Sequence, residues 1–279
     1  MIDTHLHLWN PDTIPRAWLA GVPDLDRAML LEDYRLVSAR AGIGTAVHVE
    51  TDVDDEGLER ELAEVATVMR GNPLVRAAVV GGRPGRPGFE AWLDGVAHLP
   101  GVVGLRRVFH GLDGEPEAFL TASLAEDLRR LGEQGLLFEL CVRPDQLQTA
   151  IRLVDACPAT NFVLDHLGRP DVAAGVTAAW SDGLGRLADR KNVVAKLSGL
   201  IECAAGADWN TETFRPFFEL ALGRFGPDRL VWGSNWPVCE LGGSLERWVV
   251  ATRSLLEGHS ESVRNAVLEG NARRIYRLH

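Results

Sequence analysis

The chain has 279 residues, with 39 acidic against 29 basic side chains and a formal net charge of −10. That balance argues against nucleic-acid or membrane-surface partners, and no window offers the roughly 18 uninterrupted apolar residues of a membrane span. The four cysteines, Cys141, Cys157, Cys203 and Cys239, lack zinc-ribbon or CxxC spacing, so they read as buried thiols in a reducing compartment.

The first element is strand-like, Ile2–His7. No leader pattern precedes it, which leads us to expect a soluble, cytoplasmic protein. An irregular stretch, Asn10–Leu30, is long enough to fold over a site as a lid. Further β-rich runs follow at Gly44–Glu50, Val75–Val80, Val102–Arg106, Leu136–Val142, Asn161–His166, Val193–Ser198 and Leu230–Asn235. Between them apolar residues return every three or four positions, predicting helices over Leu58–Met69, Ala118–Gln134, Asp145–Ala156, Thr211–Phe225 and Ser244–Leu256. Polar starts such as "RPDQL" and "NTETF", and stops such as "RGNP" and "RFGPDR", bound these segments. The closing "ESVRNAVLEGNARRIYRL" reads as an extra amphipathic helix packed outside. Eight strands alternating with helices, without a linker or low-complexity run, predict an α/β fold. It is a single (β/α)8 TIM-type barrel with an extra C-terminal helix, one domain over residues 1–279.

Active sites of such barrels lie at the C-terminal ends of the strands. Alternation along a strand places Asp3, His5 and His7 on one face, and likewise pairs His48 with Glu50, Glu139 with Cys141, Leu164 with His166, Lys196 with Ser198 and Gly233 with Asn235. His48 reads as a hydrogen-bonded core histidine. Glu139 and Lys196 read either as a mutually neutralising buried pair or as substrate contacts. His5, His7 and His166 end strands on faces that converge, and His-x-His is a metal-ligand spacing, because both rings reach one side. A hydrolytic metal site also wants a carboxylate to accept a proton from bound water, and the expected position holds none.

The order and spacing of "IDTHLHLW", "VVGLRRV", "LLFELCVRPDQL", "NFVLDHLGRP", "NVVAKLSGL", "FGPDRLVWGSNWPVC" and "VLEGNARRIYRL" resemble the amidohydrolase superfamily over essentially the whole chain. The likeness is to the amidohydrolase-2 type, in the branch of L-fuconolactonase-like and 2-pyrone-4,6-dicarboxylate lactonase-like enzymes. It implies a catalytic floor of His5, His7, His166 and the residue at 235. There the family commonly has Asp, as metal ligand or as the base that activates water; this chain has Asn235. Glu139 stands where other branches carry histidine. Both departures favour a metal-free lactonase acting on a small sugar-acid lactone in carbohydrate metabolism. The alternatives are a metal-dependent decarboxylase or hydrolase, with one divalent ion such as zinc on His5, His7 and His166, and a ligand-binding barrel that has lost its base.

Lactone opening needs an activated water, a polarised carbonyl and a stabilised oxyanion. Arg106 is the candidate to hold a substrate carboxylate or hydroxyl, with Lys196 and Glu139 beside it. Trp236, like Trp9, reads equally as a ring against the substrate or a ring sealing the barrel. Asn235 can orient water but has no basicity near neutral pH. His166 therefore ranks first as base, with Glu139 or Glu50 next.

Overall fold

The computed structural model describes residues 1–111, 115–204 and 208–278. Eight parallel strands follow one another in order round one sheet: β1 (Ile2–Leu6), β2 (Thr45–Val49), β3 (Val75–Gly81), β4 (Val102–Val108), β5 (Leu137–Cys141), β6 (Phe162–Leu164), β7 (Val193–Leu197) and β8 (Leu230–Trp232). The chain beyond β8 pairs with β1 at Leu6 and Trp236, where the His7 amide donates to the Trp236 carbonyl at 2.8 Å. The sheet thereby curls onto itself as the (β/α)8 barrel that the alternation predicts.

Around it run α1 (Leu31–Ala41), α2 (Leu58–Gly71), α3 (Phe89–Val96), α4 (Ala122–Glu133), α5 (Leu147–Ala156), α6 (Ala178–Ala188), α7 (Leu200–Cys203), α8 (Thr211–Phe225) and α9 (Leu245–Leu256). Periodicity locates α2, α4, α5, α8 and α9. The α4 helix begins later than expected because the Thr121 hydroxyl accepts from the Leu124 amide and caps it there. Four helices escaped the pattern, among them the single-turn α7. In α1 only Tyr34, Ser38 and Ala41 are buried, so its inward face carries little hydrophobic signal. In α6 the buried positions include Gly183 and Gly185, and a Cβ on Gly183 would lie 2.8 Å from the Leu147 side chain of α5. The α3 helix has only eight residues.

Two apolar cores result. The larger lies between sheet and helices; the smaller fills the barrel with Ile2, Val47, Val49, Val79, Val163 and Val231. The C-terminal segment differs from expectation. After α10 (Glu261–Asn265) and α11 (Asn271–Ile275), Tyr276 enters the inner core, fully buried, and its hydroxyl donates to Glu139 Oε1 at 2.7 Å. The inner core is lined largely by small aliphatic side chains, and the tyrosine supplies the volume that they leave. The segment therefore plugs the barrel rather than merely packing outside it.

The stretch before α1 is tied down. Trp9 pairs antiparallel with Met29, its indole donates to the Leu25 and Arg27 carbonyls, and the Trp18 indole donates to the Thr51 carbonyl just past β2 at 2.9 Å. Among the described residues no helix is long and apolar enough to cross a membrane.

Replacing Tyr276 by Phe keeps the ring but removes the donor to a buried carboxylate. The expected loss is about 1–3 kcal/mol, read as a lower urea midpoint with an unchanged m-value.

Candidate active site

Strand alternation fails at the first functional element. Pairing of β1 with β2 shifts register between Asp3 and Leu6, so Asp3 and His5 do not share surroundings as expected. The Asp3 carboxylate accepts from the Tyr34 hydroxyl of α1 at 2.7 Å and from the Ser234 amide and hydroxyl. His5 instead meets Lys196 of β7.

Lys196, Glu139, Asp165 and His5 are completely buried together. The Lys196 ammonium donates to both Glu139 oxygens at 2.8 and 2.7 Å, lies 3.0 Å from Asp165 Oδ1, and donates to His5 Nδ1 at 2.8 Å. An ammonium only donates, so neutral His5 carries its proton on Nε2. The Val49 carbonyl only accepts, so His7 Nδ1, 2.8 Å away, carries the other. The two Nε2 atoms then meet at 3.1 Å as donor and acceptor. One polarised chain runs from Lys196 through His5 and His7 to the β2 backbone. Burial, with the Lys196 charge second, holds the His5 pKa well below its ordinary value; burial and then Arg106 do the same for His7.

Arg106 of β4 is anchored by Glu50, which accepts from its Nε at 2.6 Å and through its carbonyl from Nη2. Its Nη1 is left 3.2 Å from His5 Nε2 and 3.5 Å from Asp165 Oδ2. Burial pushes Glu139 up to about 7, aided by the Asp165 charge. It works the same way on Asp165, but Lys196 and Arg106 outweigh it and hold that carboxyl below its usual range.

His166 stands just past β6, where the backbone turns left-handed (φ 53° at His166, 51° at Leu167). Ser198 Oγ holds its Nδ1 at 2.7 Å, and its ring centroid lies 4.6 Å from that of His5. Gly199 makes this approach possible: its φ is 74°, and a Cβ there would sit 2.4 Å from His166 Cβ. Burial and then the adjacent His5 depress the His166 pKa strongly. Asn235 is also left-handed, a conformation that asparagine tolerates (φ 58°). Its backbone amide donates to the His5 carbonyl at 2.9 Å. Its side-chain amide donates to Glu202 Oε1, while Glu202 Oε2 is buried without a hydrogen-bond partner. Burial pushes Glu202 up to about 7. Trp236 packs its ring on Tyr34, centroids 5.4 Å apart, and is buried.

Of the side chains singled out from sequence, His5, His7, His166, Arg106, Lys196 and Glu139 meet in one network; Asn235 joins it through its backbone, and Trp236 turns to α1. Asp165 and Glu202 escaped notice. With β6 ending at Leu164, the left-handed turn lets Asp165 and His166 both serve the centre, which alternation forbids. Glu202 lies in the short helix after β7, beyond the reach of strand parity. His48 is buried against the outer core, where burial lowers its pKa to about 3 against an opposing contact from the Leu8 backbone.

Ligand atoms of His5, Asp165 and His166 lie within 4.8 Å of one another, close enough to hold one ion. Lys196 already occupies two of these partners, at 2.8 Å from His5 Nδ1 and 3.0 Å from Asp165 Oδ1. The same contact places the His5 proton on Nε2, the nitrogen that would have to pair with His7 around an ion. As arranged, these donors fit the protein's own cation and not an added one.

A closed barrel whose first strand ends in His-x-His, with a third histidine after the sixth strand, defines a class of (β/α)8 enzymes. The family model described as amidohydrolase matches residues 2–278, and the chain belongs to that family. It is similar to L-fucono-1,5-lactonase of Burkholderia multivorans, 31% identical over 303 positions covering 99% of this chain and 96% of the relative. It is 28% identical to 4-sulfomuconolactone hydrolase of Rhizobium radiobacter, over 84% of this chain and 75% of that protein. The crystal structure of a Burkholderia multivorans amidohydrolase with bound zinc matches with a TM-score of 0.89 at 26% identity, covering 100% of this chain and 99% of that one.

His48 yields a pH prediction. Its folded pKa is depressed, so above the unfolded value near 6.5 it contributes nothing to the pH dependence, and as pH falls toward 3 the unfolded chain gains a proton that the fold refuses. His48→Leu is therefore expected to gain stability relative to the parent by about 1.4 kcal/mol per pH unit below 6.5, measured as paired urea titrations at pH 7.5 and 5.

Proposed function

We propose that this barrel hydrolyses a sugar-acid lactone or a closely related cyclic ester, with no metal ion at the reacting centre. The observation that carries the reading is the approach of Arg106 Nη1 to His5 Nε2 at 3.2 Å. In the arrangement derived above the His5 Nε2 proton is given to His7, so Arg106 Nη1 is the donor left without a hydrogen-bonded acceptor at this point. A carbonyl oxygen entering there takes a hydrogen bond from Arg106, which strengthens as the oxygen gains charge. Arg106 is fixed for this by Glu50, so little reorganisation accompanies the reaction. His7 and His166, both neutral, orient substrate and water as hydrogen-bonding groups. Lys196 and Glu139 act beneath the substrate, setting the tautomer and direction of His5. The relatives named for lactone hydrolysis support the same class of substrate, a small cyclic ester.

A second reading, a metal-dependent hydrolase or decarboxylase, has the His5, Asp165 and His166 grouping and the zinc-bound relative in its favour. The binding-only barrel lacks comparable support, because the relatives carry enzyme names. A proton-release assay over five- and six-membered aldonolactones separates the readings. Turnover is expected to survive exhaustive chelation, and Arg106→Met to lower kcat by about 10²–10³-fold. Activity lost on chelation and recovered with zinc establishes the second reading; uniform inactivity removes the lactone.

A further inference from the structure

Hydrolysis at this centre requires a group that takes a proton from water, and most of the acids near it are committed. Glu50 is tied to Arg106 and Glu139 to Lys196. Neither Asp165 oxygen is hydrogen-bonded, but Lys196 at 3.0 Å and Arg106 at 3.5 Å hold that carboxyl below its usual range, as a weak base. The Asp3 carboxylate is filled by Tyr34, Ser234 and the His5 amide. Asn235 is a carboxamide. The histidines are neutral and held at low basicity.

Glu202 is different. Within three residues of the Gly199 that packs on His166, its carboxyl accepts one hydrogen bond, from the Asn235 amide, and its other oxygen is buried and unpartnered. No salt bridge to it is found among the described residues. The segment is clamped from the β8 side, since a Cβ on Gly242 would lie 2.1 Å from the Ile201 carbonyl oxygen. The Asn235 amide fixes which oxygen is occupied and which is free.

We propose that Glu202 is the general base of the lactonase reaction and that Asn235 orients it. The assignment rests on the lactone reading above. The free Glu202 oxygen takes a proton from water as the water oxygen bonds to the lactone carbonyl carbon, and the carbonyl π pair moves onto oxygen beside Arg106. The tetrahedral adduct then collapses. Its ring C–O bond breaks, and the proton returns from Glu202 to the departing ring oxygen, so lactone and water become one hydroxy acid. A carboxyl with a pKa of about 7 is suited to both transfers. Asn235 thus serves as the donor that holds the base.

The groups that face Glu202 are few. Arg169, after β6, lowers its pKa, and the nearby Cys203 and Cys239 thiols are pushed up by burial first and then by the Glu202 charge, which leaves them neutral. Glu202 is expected to set the ascending limb of kcat/KM against pH, and its removal separates it from Glu139, which is also pushed up to about 7.

The test compares the parent enzyme with Glu202→Gln, Glu202→Asp and Asn235→Asp, on whichever lactone the parent turns over fastest. Glu202→Gln is expected to lower kcat by about 10²–10⁴-fold, with KM and melting temperature little changed and the ascending limb abolished. Asn235→Asp alone is expected to move that limb to higher pH, because two touching carboxylates share one proton. Loss of the ascending limb in Glu202→Gln together with its retention in Glu202→Asp supports the assignment, and a parental melting temperature of the aspartate variant keeps the comparison valid even if the glutamine variant folds poorly. Near-parental kcat and an unchanged pH profile in Glu202→Gln overturn it while leaving lactone hydrolysis standing. A parent inactive on every lactone overturns the reading and the base together.

Discussion

An ammonium buried on the axis of the barrel is the constraint on which the rest of this site depends. Left alone, the Lys196 charge costs several kcal/mol to desolvate. The fold meets that cost with Glu139 and Asp165, and uses the remaining donor capacity on His5. Because an ammonium has no lone pair to offer, the contact dictates the protonation pattern of both histidines on the first strand. An electrostatic requirement of folding thus becomes a chemical specification of the mouth.

The carboxylates divide their duties by environment rather than by type. Glu50 and Asp165 pair with fixed cations, and Glu139 lies between Lys196 and the tyrosine plug. Glu202, without a cation, is left with an oxygen to spare. The backbone shows a related division. β1 slips register before His5, and His166 and Asn235 take left-handed conformations immediately beyond β6 and β8. Left-handed backbone is adopted at these strand ends, where side chains must be aimed.

Much of this was legible in the chain itself. Eight apolar runs with helical spacers define a barrel, since parallel strands buried on both faces read as continuous hydrophobic segments. His5, His7, His166, Lys196 and Glu139 were recognisable as strand-end polar residues in an apolar setting. Asp165 was not, because the rule that assigns faces holds only while the strand lasts, and β6 lasts three residues. Glu202 was hidden for a similar reason, on a helical turn with no periodicity to read. The helices α1 and α6 were missed because polar and glycine residues occupy their inward faces. Tyr276 looked like part of an amphipathic surface stripe, and its destination depends on the empty space left by small side chains contributed from distant strands.

The tyrosine plug bears on the order of events during synthesis. Its hydroxyl touches Glu139, which holds Lys196, which in turn orients His5, so the fifth residue of the chain is coupled through three contacts to the two hundred and seventy-sixth. A polypeptide emerging from the ribosome can stack its βα units early, but the proton arrangement at the mouth is complete only when residue 276 has arrived. Chemical competence in this way waits for the segment after β8 to close the barrel floor, and a chain ending before Tyr276 lacks its stopper.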